Sequence, residues 1–198
     1  MGWIIKVGAQ QYLTQAQKEN NAQAAYSFFV SRGMSLEALC GLLGNMDWES
    51  SLNPGMQETG SVTDGYGLIQ WTPASTQLLP WCGARDYKWY SGDAQCELIE
   101  NEGNQIPPVN GRWLPTSQYP YSWSEFKALT DVDEACKAYL AERERAGVAA
   151  LSERLQRAQN WYAYFGGHPQ PTPPDPPVPP VRDAKKMPLY MMMKPQRL

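Results

Sequence analysis

The sequence predicts an α+β fold that is mainly helical, with one small β-hairpin lobe and a proline-rich extended tail. Apolar residues recur at spacings of three and four through most of the first 165 positions, glycines and turn residues cluster between 55 and 72, and ten of the 17 prolines fall between Pro169 and Pro195. A chain of 198 residues holds one ordinary domain and a short appendage. The domain is therefore placed at 1–167 and the tail at 168–198. Lys and Arg number 17 against 20 Asp and Glu, a net charge of 17 − 20 = −3. Residues 168–198 hold five of the cations and two of the anions, which leaves about −6 on the body. Such a body does not fit a protein held to nucleic acid by counterion release, so no nucleic-acid partner is expected. No apolar run approaches the length of a membrane span, and the opening MGWIIKVGAQQ lacks a signal-peptide h-region.

Thr14 with Gln17 forms a capping box ahead of a first helix from Gln15 to Arg32, which keeps Ala22, Ala25, Phe28 and Phe29 on one face until Gly33. Ser35 caps a second helix, the most apolar in the chain, in which Leu36, Leu39, Leu43 and Met46 recur before Asn53 and Pro54 end it. Gly55, Gly60, Gly65 and Gly67, with Thr63 and Asp64, then signal turns, and Gly67 to Thr72 reads as a short strand closed by Pro73. Helical texture resumes at Ala74 to Trp81 and at Asp93 to Glu102, with Asp93 as the expected cap, and residues 103–121 read as a loop. Two further boxes, Ser122 with Glu125 and Asp131 with Glu134, start helices over 123–129 and 132–145. A last helix from Val148 to Phe165 stops at Gly166 and Gly167. Beyond it, His168 to Val181 predicts a polyproline II strut, and the final MPLYMMMKPQRL is a candidate docking peptide for another protein.

Cys40, Cys82, Cys96 and Cys136 contain no CxxC pair, which argues against a zinc ribbon or a redox motif. Cys40 and Cys136 lie on apolar helix faces and read as small hydrophobes, while Cys82 and Cys96, on more irregular segments, are the candidate disulfide pair. Neither a cofactor nor a metal is expected.

Glu49 lies at the edge of the apolar stripe of the second helix, three residues after Met46. Desolvation and the negative end of the helix dipole both favour the protonated carboxyl there, the form a general acid must hold. Glu49, Ser50, Asn53 and Pro54 are followed by Gly65, Tyr66, Gly67, Leu68, Ile69, Gln70 and Trp71, an arrangement that resembles goose-type lysozymes and lytic transglycosylases. In that pattern the glycines admit a sugar to the backbone, Gln70 offers an amide, and Tyr66 and Trp71 offer stacking faces. A longer match takes in YLT at Tyr12, NAQ, LEALCGLLGNM, the Glu49–Ser50 pair, NPG, GYGLIQWTPAS, the Glu144–Arg145 pair and the closing Gln159, Trp161 and Tyr162. Over roughly residues 12–165 the sequence is similar to the phage tail lysozyme family, and most of all to its podovirus members that act at the tail knob.

That resemblance implies a lysozyme-like fold, peptidoglycan glycan strands as substrate, cleavage of β-1,4 bonds, and Glu49 as the catalytic acid. It also implies a place in a phage tail, with other tail proteins as partners of the C-terminal segment. Those podovirus members carry a second, metallopeptidase domain; here a proline-rich stretch stands in that place, and His168 is the one histidine, so peptidase chemistry is not expected. Glycoside hydrolysis commonly needs a second carboxylate, for which Asp64 and Glu144 are candidates, while Glu58 has less to recommend it and Asp47 is expected to face solvent. Asp64 also suits a tight turn beside Gly65, and Glu144 suits an inward ion pair. Without a second carboxylate, Glu49 would act as acid and then base while a substrate hydroxyl attacks, as in lytic transglycosylases. A silent glycan-binding tail protein is the remaining alternative. Trp48, Trp81, Trp89 and Trp113 are further aromatic candidates for a sugar cleft, each with a core role as the simpler reading.

Overall fold

The computed structural model describes residues 2–104, 113–144 and 150–167. Within them, α1 spans Gln15–Val30, α2 Leu36–Ser50, α3 Leu78–Gly83, α4 Gly92–Gly103, α5 Trp123–Lys127, α6 Val132–Tyr139 and α7 Leu151–Gly167. A 3-10 turn at Ala74–Thr76 precedes α3, and a π-turn at Leu140–Glu144 continues α6. The mainly helical α+β class is as expected. Both reciprocal capping boxes form at Thr14 and Ser122, and Ser35 and Asp131 accept the amides of Ala38 and Glu134. Asp93 is not the cap of α4: Ser91 accepts the Ala94 amide, and Asp93 stands in the first turn, where its carboxylate accepts the Trp3 indole N–H at 2.9 Å. The helix expected over 132–145 ends its α-geometry at Tyr139, and α7 begins at Leu151.

The core is organised around α2, whose Leu39, Leu42, Leu43 and Met46 are fully buried. Each such side chain contributes about 1.5–3 kcal/mol by leaving water. Gly41 and Gly44 set how closely its neighbours approach. A Cβ on Gly41 would lie 2.6 Å from the Cys136 amide nitrogen, and one on Gly44 would lie 2.7 Å from the Ala158 Cβ and the Arg154 carbonyl oxygen. These contacts also fix direction. Val132 lies near Glu37 and Cys136 near Gly41, so α6 runs with α2; Tyr162 bonds Glu37 while Arg154 meets Glu49, so α7 runs against it. The C-terminal end of α2, the π-turn after α6 and the start of α7 therefore converge at one end of this layer.

Strands β1 (Gly8–Ala9) and β2 (Met56–Gln57) pair in parallel, and isolated antiparallel bridges join Gln57 to Tyr66 and Tyr66 to Trp71. The small β lobe is present, but the strand expected over Gly67–Thr72 is not. Gly67 to Gln70 forms a tight turn between the bridged residues. The physical reason is capture of Leu68: its N–H donates to Gln95 Oε1 at 2.8 Å and its carbonyl accepts from Ser50 Oγ at 2.9 Å, so neither group is left for a ladder.

All four cysteines are buried and free, so the Cys82–Cys96 disulfide does not form. Burial pushes the Cys82 thiol up to about 11. Among the described residues no helix is long and apolar enough to cross a membrane. The strut and docking peptide expected over 168–198, like part of the loop expected over 103–121, lie outside the described residues.

Candidate active site

Glu49 is the penultimate residue of α2, which stops because Ser51 turns into the left-handed region at φ 58° and donates its N–H to Asp47. Its side chain keeps 22% of its surface exposed, as expected at the edge of an apolar stripe. It does not stand in an apolar setting alone. Arg154 of α7, almost wholly buried, bonds Glu49 Oε1 through Nη2 and Asn45 Oδ1 through Nη1 at 2.9 Å. Asn45 in turn donates its amide to the carbonyls of Gly41 at 2.9 Å and Cys136 at 3.1 Å.

The glycine-rich turn is tied to this helix end through Ser50, which also lies 3.0 Å from the Met46 carbonyl. Asn53, fully buried, donates to the carbonyls of Lys6 and Gln11 and accepts from the amides of Lys6 and Gly55, so it pins the N-terminal segment under the lobe. Gln95 of α4 holds the turn from the other side, bonding the Leu68 amide and the carbonyls of Pro54 and Trp89. Gly67 is required by a φ of 79° and by space, since a Cβ there would meet Gln95 Oε1 at 2.6 Å. Gln70, at φ 49°, is half-buried and donates its amide to the Gly67 carbonyl at 2.8 Å. Ser50, Asn53 and Gly67 thus have structural duties that account for their places in the motif.

Tyr66 and Trp71 are both buried. Trp71 is 2% exposed, and its indole N–H donates to Glu102 Oε1 at 3.0 Å. Tyr66 is buried against Trp89 and donates its hydroxyl to the Gly60 carbonyl at 2.8 Å. Neither presents a ring face to solvent. Trp81 and Trp113 are core residues as well, whereas Trp48, beside Glu49, is 39% exposed with the Arg157 guanidinium 5.4 Å from its ring centre.

Asp47 is buried, not solvent-facing, and pairs with Lys18 at 2.7 Å and Arg157 at 2.9 Å. The carboxylate of Asp64 accepts from the Thr59 hydroxyl inside its own turn, and Glu58 accepts the Gly65 amide at 3.3 Å. The backbone of Glu144 closes the π-turn at the Glu49 end of the helical layer; its side chain and Arg145 lie outside the described residues.

Beneath this region Glu102 accepts from Trp71 and from Arg143 at 2.8 Å, all three buried. Glu142 is fully buried, takes the Tyr121 amide at 3.2 Å on Oε1, and burial pushes its carboxyl up to about 7. Asn45, Gln95, Glu102, Glu142 and Arg154 were not singled out from sequence. Arg154 did leave a signal, since it continues the buried stripe of Ala158, Trp161 and Phe165 at spacings of four, three and four.

A cleft of about 250 Å³ lined by Glu37, Thr130, Asp131, Val132, Asp133, Gln159 and Tyr162 lies at the other end of α2. It is twelve residues, or about 18 Å, from Glu49 along the helix. Among the described residues no three His, Cys, Asp or Glu side chains are grouped to hold a metal ion.

A helical body with a partly exposed carboxylate at the end of its most apolar helix, tied to a glycine-rich turn in a small β lobe, defines a lysozyme-like protein. Residues 20–165 match the phage tail lysozyme family, and the chain belongs to it. It is also similar to Morphogenesis protein 1 of Bacillus phage B103, with 32% identity over 160 residues, which is 79% of this chain. The match takes in 42% of that protein, so the chain spans less than half the length of this curated relative.

Proposed function

We propose that this chain degrades peptidoglycan, cleaving β-1,4 bonds between N-acetylmuramic acid and N-acetylglucosamine during wall penetration by a phage. The observation that supports this best is Glu49 itself, a partly exposed carboxyl on a rigid helix end beside the turn that carries Gln70. In this reading Glu49 is the general acid. It gives its proton to the glycosidic oxygen as the C1–O bond breaks, and the developing positive charge on the sugar is quenched by a nucleophile. In a muramidase the nucleophile is water, activated by a second carboxylate, and Asp64 and Glu144 remain the proposed candidates. Gln70 orients the sugar, and Gly67 lets the turn lie close.

A transglycosylase reading has its own support. Asp47 is taken up by two cations and Asp64 by Thr59, which fits a mechanism in which Glu49 works as acid and then base while the substrate's hydroxyl closes a 1,6-anhydro ring. The tail at 168–198 is proposed to link the domain to other tail proteins, so that it acts from the virion on the outside of the cell.

Glu49→Gln tests the central assignment. The variant should keep the wild-type unfolding temperature and lose lysis of purified walls. Undiminished lysis would overturn the assignment, and binding without clearance by the wild-type protein would favour a silent glycan-binding role. Mass spectrometry of the products then separates a reducing muramic acid end, the mark of hydrolysis, from a 1,6-anhydro end.

A further inference from the structure

We infer that Arg154 and Asn45 form a positioning relay that ties down Glu49 Oε1 and makes Oε2 the oxygen that carries the catalytic proton. The inference rests on the reading of Glu49 as general acid and adds the device that aims it.

The relay is built from helix packing. Gly41 and Gly44 let α6 and α7 come within backbone contact of α2, which places the Cys136 carbonyl on one side of Asn45 and the Arg154 side chain on the other. The orientation of Asn45 follows from its partners. Two backbone carbonyls can be satisfied only by its NH2 group, so its oxygen must face the guanidinium. Arg154 then spends one Nη on that oxygen and the other on Glu49 Oε1. A planar fork held at two points has little freedom, and neither does the carboxylate it grips.

A second consequence concerns the proton. In a carboxylic acid the carbonyl oxygen is the better acceptor, so the oxygen bonded by the guanidinium takes the C=O role and the hydrogen sits on the other. Among the described residues Arg154 is the side chain that bonds Glu49, through Oε1, and Oε2 is left for substrate. Arg154 is 2% exposed, so the packing of α7 on α2 fixes where its guanidinium donors point. In this arrangement Arg154 touches no reacting atom; it acts through Glu49.

The test measures initial rates of the full chain on soluble glycan strands released from purified peptidoglycan, with products followed by chromatography. Arg154→Met should lower kcat about a hundredfold with KM little changed, as expected when a catalytic group is mis-aimed by an ångström. Arg154→Lys keeps the charge but has no fork, so it should fold normally and lose about tenfold in kcat. Asn45→Ala removes one anchor and should fall between the two. A loss confined to KM would make Arg154 a binding residue and overturn the relay, and so would a folded Arg154→Lys with wild-type kcat. Should Arg154→Met not fold, the Lys and Asn45 variants decide the matter alone. Glu49→Gln separates the two levels: an active Glu49→Gln refutes the general-acid reading, whereas an inactive one beside a fully active Arg154→Lys refutes the relay alone.

Discussion

Glu142→Gln should remove a pH dependence of stability that the wild-type fold carries between pH 4.5 and 7. Glu142 sits on the π-turn with its side chain fully buried, Oε1 accepting the Tyr121 amide and its backbone carbonyl accepting the Leu114 amide at 3.1 Å. Oε2 has no partner among the described residues. Burial, opposed by the Tyr121 hydrogen bond and reinforced by Glu125, pushes the carboxyl from its ordinary 4.5 to about 7. Between those values the folded protein holds a proton that the unfolded chain has released, so stability falls as pH rises through the window. At about 1.4 kcal/mol per pH unit this amounts to about 3 kcal/mol, fully present below pH 4.5 and lost by the time pH passes 7. Gln keeps an acceptor for Tyr121 and does not titrate. Urea unfolding of both proteins from pH 4.5 to 8 should show the wild type losing stability relative to the variant by about 3 kcal/mol. Groups common to both cancel in that difference. Glu125 and Glu153, held low by bonds from Ser122 and Ser152, act as pH falls and also cancel. A difference that stays constant across this range would refute the argument.

Two further substitutions probe the packing that positions the site. Gly44→Ala inserts a methyl 2.7 Å from the backbone of α7, so it should destabilise the fold by about 1–3 kcal/mol in urea titrations and, by displacing Arg154, lower kcat more than it raises KM. Trp71→Phe deletes the bond to Glu102 and leaves a small void, so it should destabilise by about 2 kcal/mol with KM for glycan strands unchanged; a several-fold rise in KM would instead support Trp71 as a sugar-binding residue.

What the sequence made legible depended on range. Thr14 with Gln17 and Ser122 with Glu125 act over three residues, and both boxes form as read. The local pattern at 67–70 is that of a strand, but the groups that decide the turn, Ser50 and Gln95, lie 18 and 27 residues from Leu68. Helical periodicity sent Asp47 to solvent, yet Lys18 on α1 and Arg157 on α7 bury it as an ion pair, which no local pattern encodes. Tyr66 and Trp71 fit a sugar-binding motif by type, and the fold uses both in its core.

Glu49 and Arg154 show how a tertiary pairing could have been anticipated. Each occupies a position where its helix otherwise places core residues, Glu49 at the edge of the Leu39–Leu43–Met46 stripe and Arg154 in line with Ala158, Trp161 and Phe165. A single charge on a core stripe is a desolvation problem, but two unlike charges on two such stripes are each other's remedy. They identify which faces pack and near which turn. In this chain they place the end of α2 against the start of α7, 105 residues apart. A buried pair of this kind stabilises a fold weakly compared with apolar side chains of the same volume, so stability alone does not account for it. The proposed aiming of Glu49 by Arg154 would account for it.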